Sequence, residues 1–155
     1  MALWASVAAA APSDELAAQA LGKNEEIDAL VFADVALKRT ADGFTLTYSR
    51  PLGEGGHQRC EGRYTKKGTL ARLSCKLEYI THSMGPSNRR VTSELERKFS
   101  AEGKVAAVLG RTESRSLKDN HVIERKKLTS VDDEAAGDFS KPMLTLSPEL
   151  MAAAL

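Results

Sequence analysis

Apolar and polar residues alternate along most of this chain, which is the two-residue period of a β-strand with one buried face. Phe44, Leu46 and Tyr48, for example, alternate with threonine and serine. Turn residues divide the alternating region into about seven segments. The predicted strands are 29–39, 44–51, 57–65, 70–82, 89–100, 104–117 and 121–130. This pattern predicts an antiparallel β-meander, as a curved sheet or a half-barrel.

The turns that would connect these strands carry residues suited to a positive φ. Gly43, Gly68 and Gly103 each end a short polar loop, and Asp119-Asn120 forms a fourth loop. Glycine adopts a positive φ without strain, and asparagine and aspartate tolerate it better than most residues. Each loop therefore predicts a hairpin between consecutive strands.

Residues 91–103 have a second interpretation, because Ser93 and Glu96 show the spacing of a helix capping box. The apolar residues of this segment also fit the two-residue period, and a turn follows at Gly103. A strand is therefore favoured over a helix.

Short helices are predicted at both ends of the chain. Ser13 is suited to cap a helix with an acidic first turn that ends at Gly22. Ser147 and the proline after it predict a last apolar helix that runs to Leu155. This helix is expected to cover a face or an edge of the sheet, with a partner-docking tail as the alternative. An acidic helical turn is also expected at 131–137.

Residues 1–12 have the character of an export-signal remnant, with an apolar stretch followed by small residues at cleavage-type spacing. No basic residue precedes this stretch, and an alanine-rich helical extension is the alternative interpretation. Residues 13–155 are then predicted to form a single α+β domain. A chain of 155 residues with 42% hydrophobic residues is large enough for one core. No apolar run reaches the roughly 18 residues of a membrane-spanning helix.

The net charge of +1 conceals a strong asymmetry along the chain. The part from His57 to Ser130 holds 17 Lys and Arg against 8 Asp and Glu, a balance of +9. The remaining parts hold 5 basic and 13 acidic residues, a balance of −8. A basic field of this kind attracts an anionic partner, or is neutralised when the acidic ends fold back on it.

The hairpin register places the only two cysteines opposite each other. With a two-residue turn that includes Gly68, Cys60 faces Cys75 on the adjacent strand, at a separation that a disulfide spans. A disulfide indicates an oxidising compartment, so a periplasmic or secreted protein is predicted. Two buried reduced thiols are one alternative, and a zinc-like set completed by His57 and His82 is another. Neither a metal nor another cofactor is expected.

The same reasoning assigns residue pairs to three hairpins. The expected pairs are Tyr64 with Ala71, Gly62 with Leu73, Phe99 with Val105, Leu95 with Leu109, Arg115 with Glu124, and Glu113 with Lys126. The first four pairs would build the core, and the last two would place opposite charges side by side. The last hairpin is therefore predicted to be a solvated surface whose charges are paired.

The outward side of the cysteine hairpin collects cations. The register places Arg63 opposite Arg72 and Arg59 opposite Lys76, and like charges so opposed destabilise a sheet by up to about 1 kcal/mol. We call these four residues the basic hairpin face, and a nearby loop extends it. The predicted partner-binding residues are Arg59, Arg63, Arg72, Lys76, Arg89 and Arg90.

These features predict an exported, non-catalytic binding or interaction module that engages an anionic lipid, a polyanion or an acidic protein through the basic hairpin face. Nucleic acid is not expected, because this face lacks aromatic residues for base stacking. A merely solvated face, neutralised by Glu61 and Glu78, is the first alternative. The second is a carrier of an apolar ligand in a half-barrel cavity, by analogy with lipocalin-like and lipoprotein-carrier folds.

Enzymatic activity is not expected from the motifs. The pair His82-Ser83 lacks a nucleophile elbow and an acid to orient the histidine. The glycine cluster at 53–56 lacks the Lys-Ser or Lys-Thr ending of a phosphate-binding loop.

Overall fold

The structure is a computed structural model that describes residues 12–22, 32–51, 56–81, 88–129 and 143–154. Seven antiparallel strands form one sheet, in which each strand pairs with its neighbours in the chain. The strands are β1 (Ala33–Thr40), β2 (Gly43–Pro51), β3 (His57–Thr65), β4 (Leu70–Thr81), β5 (Arg89–Phe99), β6 (Val105–Ser116) and β7 (Val122–Leu128). The sheet is open, with β1 and β7 at its edges. The predicted seven-stranded meander is confirmed, including the strand at β5.

Two short helices accompany the sheet, as predicted. Helix α1 spans Pro12–Gly22 and helix α2 spans Pro148–Ala153. Ser147 caps α2, since its Oγ accepts a hydrogen bond from the Leu150 N–H at 3.1 Å. The cap predicted for α1 is wrong, because the helix already begins at the proline before Ser13. Proline suits a first helical turn, where its missing N–H has no partner to lose. The predicted acidic turn at 131–137 lies outside the described residues.

The alternation in the sequence produces one apolar face, which we call the core face. Leu46, Tyr48 and Leu73 on this face are each at most 1% exposed. The helices pack against it through Ala17 and Leu150, which are also buried. Because these side chains come from almost every element, the single core is what holds the helices to the sheet.

Both terminal segments are anchored to the sheet by hydrogen bonds as well as by packing. The Leu37 N–H of the edge strand β1 donates to Asp14 Oδ1 on α1 at 2.9 Å, which occupies a backbone group that an edge would otherwise expose. At the other end, the Tyr64 hydroxyl donates to the Met143 carbonyl at 2.7 Å. Burial raises the pKa of the Tyr64 phenol, so this donor keeps its proton.

The register of the cysteine hairpin is confirmed over most of its length. Cys60 faces Cys75 and Gly62 faces Leu73, as predicted. The outward pairs Arg63 with Arg72 and Arg59 with Lys76 also form.

The prediction that Tyr64 faces Ala71 is wrong, since Tyr64 faces Leu70. The turn is one residue longer than predicted, because the Thr65 N–H bonds the Thr69 carbonyl. Ala71 is left unpaired between the flanking pairs, and this bulge restores the predicted register for the rest of the hairpin.

The hairpin of β5 and β6 follows the prediction only near its turn. Phe99 faces Val105, and Gly103 has a φ of 83°, as expected. Leu95, however, faces Gly110 rather than Leu109, so that part of the prediction is wrong. An unpaired residue in β6, Ala106, shifts the register by one position, and Leu109 consequently points away from the core.

The last hairpin also differs from the predicted register. Glu113 faces Arg125 instead of Lys126, and Arg115 faces Val122 instead of Glu124. The turn is longer than predicted, because the Ser116 N–H bonds the His121 carbonyl across it. The expected positive φ is present at Asn120, at 61°.

Candidate binding surface

The side of the sheet opposite the core carries most of the charge, and we call it the polar face. Strands β3 to β7 present ten basic and five acidic side chains there, an excess of five positive charges. The basic residues are Arg59, Arg63, Arg72, Lys76, Arg90, Lys98, Arg111, Arg115, Arg125 and Lys127. The acidic residues are Glu61, Glu78, Glu94, Glu96 and Glu113.

Two of the four cations of the basic hairpin face are partly neutralised. Arg63 Nε lies 3.3 Å from Glu61 Oε1, and Arg72 Nε lies 3.1 Å from a carboxylate oxygen of Glu96. These exposed ion pairs contribute little to stability, typically below about 1 kcal/mol. They nevertheless reduce the positive field at this end of the face.

Arg59 and Lys76 are the other two cations, and they face each other directly across β3 and β4. Both side chains are exposed. Within the described part of the chain, neither takes part in an ion pair. This opposed pair therefore keeps its positive charge without a salt bridge, although Glu94 faces Lys76 across β4 and β5.

Arg90 and Arg89, the predicted extension, lie on opposite sides of the sheet. Arg90 is on the polar face, 3.6 Å from a carboxylate oxygen of Glu78. Arg89 precedes the buried Val91 by two positions, and strand alternation puts both on the core side. Consecutive residues of a strand cannot share a face, so only Arg90 belongs to the polar face.

A groove of about 840 Å³ runs across the polar face from β2 to the end of β7. Its lining includes Arg59, Lys76, Lys127 and Thr129. A single row of charged side chains crosses it, each facing the next on the adjacent strand. This central row consists of Arg59, Lys76, Glu94, Arg111 and Lys127.

Sequence reasoning missed the groove and the place of three residues in it. Arg111 and Lys127 belong to the last hairpin, for which the sequence predicts a solvated, charge-paired surface, and both line the groove. Arg111 does form an ion pair, at 3.2 Å from Glu94. Leu109 was assigned to the core but is 67% exposed in the groove wall. The correct register would have revealed all three, because it places them on one face.

Glu113 is the acidic centre of the last hairpin. Arg115 Nε donates to one of its oxygens, and Arg125 Nε donates to the other at 2.9 Å. The hydrogen bond from Arg115 has the largest effect and that from Arg125 the next largest, and together they hold the pKa of this carboxyl below its ordinary value near 4.5. The charges of this hairpin are therefore paired, although through other partners than the sequence predicted.

This arrangement predicts the titration of Glu113. A lowered pKa means that the carboxylate stabilises the fold above its ordinary pKa and loses this effect as the pH falls through the folded value. Arg125→Gln should raise the pKa of Glu113, as measured by carboxyl NMR during a pH titration. Arg111→Gln, which removes a cation from Glu94 instead, is the control and should leave Glu113 unchanged. An unaltered Glu113 titration in the Arg125 variant would contradict the assigned contact.

Cys60 and Cys75 form a disulfide, with their Cα atoms 4.1 Å apart. Both residues are at most 3% exposed, and they lie next to Arg59 and Lys76 in the two strands. The bond therefore ties together the strands that carry the opposed cations. Of the alternatives, reduced thiols do not match this geometry, and His82 of the zinc-like set lies outside the described residues.

The sequence matches no protein-family model, and no curated protein or solved structure is significantly similar to the chain. Among the helices that the structure describes, none has the length and apolar character needed to cross a membrane. Groups of three or more potential metal ligands are also lacking in the described segments. The chemistry of the polar face is thus the main support for a function.

Proposed function

We propose that this protein is a non-catalytic binding module that engages an anionic partner through the polar face of its sheet. One observation carries the proposal: Arg59 and Lys76 oppose each other at one side of a groove, and neither forms a salt bridge with a carboxylate of the described residues, although Glu94 faces Lys76 across β4 and β5. Like charges held opposite each other destabilise a sheet. An anion bound between them converts this repulsion into attraction, which favours the complex.

The wider field supports the same partner chemistry. The polar face carries five excess positive charges on β3 to β7, while the chain as a whole is nearly neutral. Charge concentrated on one face steers an oppositely charged partner toward that face and speeds association. The expected interaction is consequently strong at low ionic strength and weak at high ionic strength.

We further propose that the protein acts in an oxidising compartment, the periplasm or the cell exterior. The disulfide between Cys60 and Cys75 supports this, since such bonds persist in oxidising environments and are rare in the cytosol. Of the predicted export-signal remnant, residues 1–12, the structure describes only Pro12, the first residue of α1. Export therefore rests on the disulfide together with the sequence pattern.

An apolar-ligand carrier is less well supported. That function predicts an apolar cavity on the side of the sheet where the helices pack. Side chains of α1 and α2 fill that side around Leu46 and Leu73. The groove lies on the other side, and seven of its fifteen described lining residues are charged. The side of the sheet that a carrier function needs is therefore already filled by the protein's own core.

Charge reversal tests the proposed function. The double variant Arg59→Glu with Lys76→Glu should bind a fluorescent decaglutamate peptide about ten-fold more weakly than the unaltered protein at 50 mM salt, as measured by anisotropy. The affinity of the unaltered protein should also fall steeply between 50 and 300 mM salt.

A matched control separates the site from the net charge. Lys66→Glu with Lys67→Glu changes the net charge equally, in the exposed turn between β3 and β4. This control should weaken binding by about two-fold at most, because the turn lies outside the groove. Equal losses in the two double variants, or no loss in either, would refute the proposed binding face.

A further inference from the structure

The central row separates its cations along the groove. Lys76 is on β4 and Lys127 is on β7, three strands away. At about 4.8 Å per strand, the two positions are roughly 14 Å apart on a flat sheet, and less on a curved one. Between them, Glu94 and Arg111 neutralise each other at 3.2 Å. The central row therefore presents positive charge at both sides and little net charge in the middle, while Glu61 and Glu96 add negative charge to the groove walls.

An apolar side chain occupies the wall beside that neutral middle. Leu109 is 67% exposed, the largest value among the exposed large hydrophobic residues of the described chain. It lies two residues from Arg111 along β6, hence about 7 Å from the central row. A bulky apolar side chain of a ligand above the middle of the row can contact it.

We propose that the groove binds an extended acidic segment of another protein, with two acidic residues four positions apart and an apolar residue midway. This inference rests on the proposed function and narrows its partner. Residues i, i+2 and i+4 of an extended chain point to the same side, and four residues span about 13 Å. The two carboxylates would reach Lys76 and Lys127, and the middle side chain would cover Leu109.

The other anionic partners fit these observations less well. A bilayer surface is flat or gently curved and does not enter a groove that crosses six strands. A sulfated polysaccharide offers anions along its length, but it does not offer the bulky apolar group that an exposed leucine favours. Nucleic acid lacks a stacking platform, since none of the described residues that line the groove is aromatic.

Three labelled peptides test the spacing. The first has the order Gly-Ser-Glu-Ser-Leu-Ser-Glu-Ser-Gly, the second replaces its leucine by serine, and the third places both glutamates at adjacent positions. The first should bind at least about five-fold more tightly than the other two in anisotropy measurements at 100 mM salt. Vesicles of phosphatidylglycerol and a heparin oligosaccharide are the competitors, and neither should displace the first peptide at an equal anion concentration.

Two groove variants complete the test. Leu109→Ser should weaken binding of the first peptide about five-fold without changing the affinity for decaglutamate. Lys127→Glu should weaken binding of both peptides. If Leu109→Ser and the peptide spacing have no effect while reversal at Arg59 and Lys76 still does, the acidic-segment partner is wrong and the proposed function stands. If that reversal also has no effect, the acidic-segment partner and the proposed function are both wrong. Displacement by vesicles or heparin would instead assign the groove to a lipid or a polysaccharide.

Discussion

Gly43→Ala is expected to destabilise the protein by more than about 3 kcal/mol, through strain in the first hairpin. A Cβ atom at this position would lie 2.0 Å from the Tyr64 carbonyl oxygen and 2.7 Å from the Thr65 carbonyl carbon. Both atoms belong to the backbone of the paired strand β3, so neither can rotate out of the way. The φ of Gly43, 151°, is also one that other residues rarely adopt. Urea unfolding followed by circular dichroism measures the loss.

Gly103→Ala is the matched control for this substitution. Gly103 also has a positive φ, 83°, but a Cβ atom there would only approach a Leu144 methyl group at 3.3 Å. The expected loss is about 1 kcal/mol, which is the usual effect of the left-handed conformation alone. A loss at Gly43 no larger than that at Gly103 would show that β2 and β3 can separate, and would count against the close pairing.

Removal of the disulfide is expected to lower the free energy of unfolding by about 3 kcal/mol, because the bond closes a loop of 15 residues. Reduction of the unaltered protein should shift its urea midpoint accordingly. The double variant Cys60→Ala with Cys75→Ala should lose at least as much stability, since both side chains are buried and the smaller residues leave space behind.

The double alanine variant, measured with and without reductant, is the control in this experiment. The double alanine variant should unfold at the same urea concentration with and without reductant, because it has no other cysteine to reduce. Mass measurement should verify that the unaltered protein is fully reduced. If full reduction leaves the midpoint unchanged, the disulfide does not stabilise the sheet.

The hairpin of β3 and β4 and the hairpin of β5 and β6 show how far sequence reasoning extends. Both turns have the same geometry, since Gly68 and Gly103 each have a φ of 83°. Each hairpin also has one unpaired alanine shortly after its turn, Ala71 in β4 and Ala106 in β6. In the hairpin of β3 and β4, the turn is one residue longer than predicted, and the bulge at Ala71 then restores the predicted register. In the hairpin of β5 and β6, the turn is as predicted, but the bulge at Ala106 shifts the strand, so the predicted register is wrong beyond it.

No local signal distinguishes those two alanines, because a small side chain fits either face of a sheet. The bulge at Ala106 is explained by Gly110, the residue that faces Leu95. A Cβ atom at Gly110 would lie 2.4 Å from the Glu94 carbonyl oxygen, so the approach of β5 leaves no room for a leucine there. The strand instead places glycine at that position and turns Leu109 outward. This shift put an apolar residue into the groove wall.

The sequence by itself determined the seven strands, their order, the helix at each end and the pairing of Cys60 with Cys75. Alternation, turn residues and capping act over a few neighbouring residues, so they are legible without the fold. Only the tertiary structure decided where the bulges lie, that Arg89 and Arg90 separate, and that Lys127 and Leu109 join Lys76 along one groove. Those outcomes depend on how the strands share a single core, since one unpaired residue moves every later side chain to the other face.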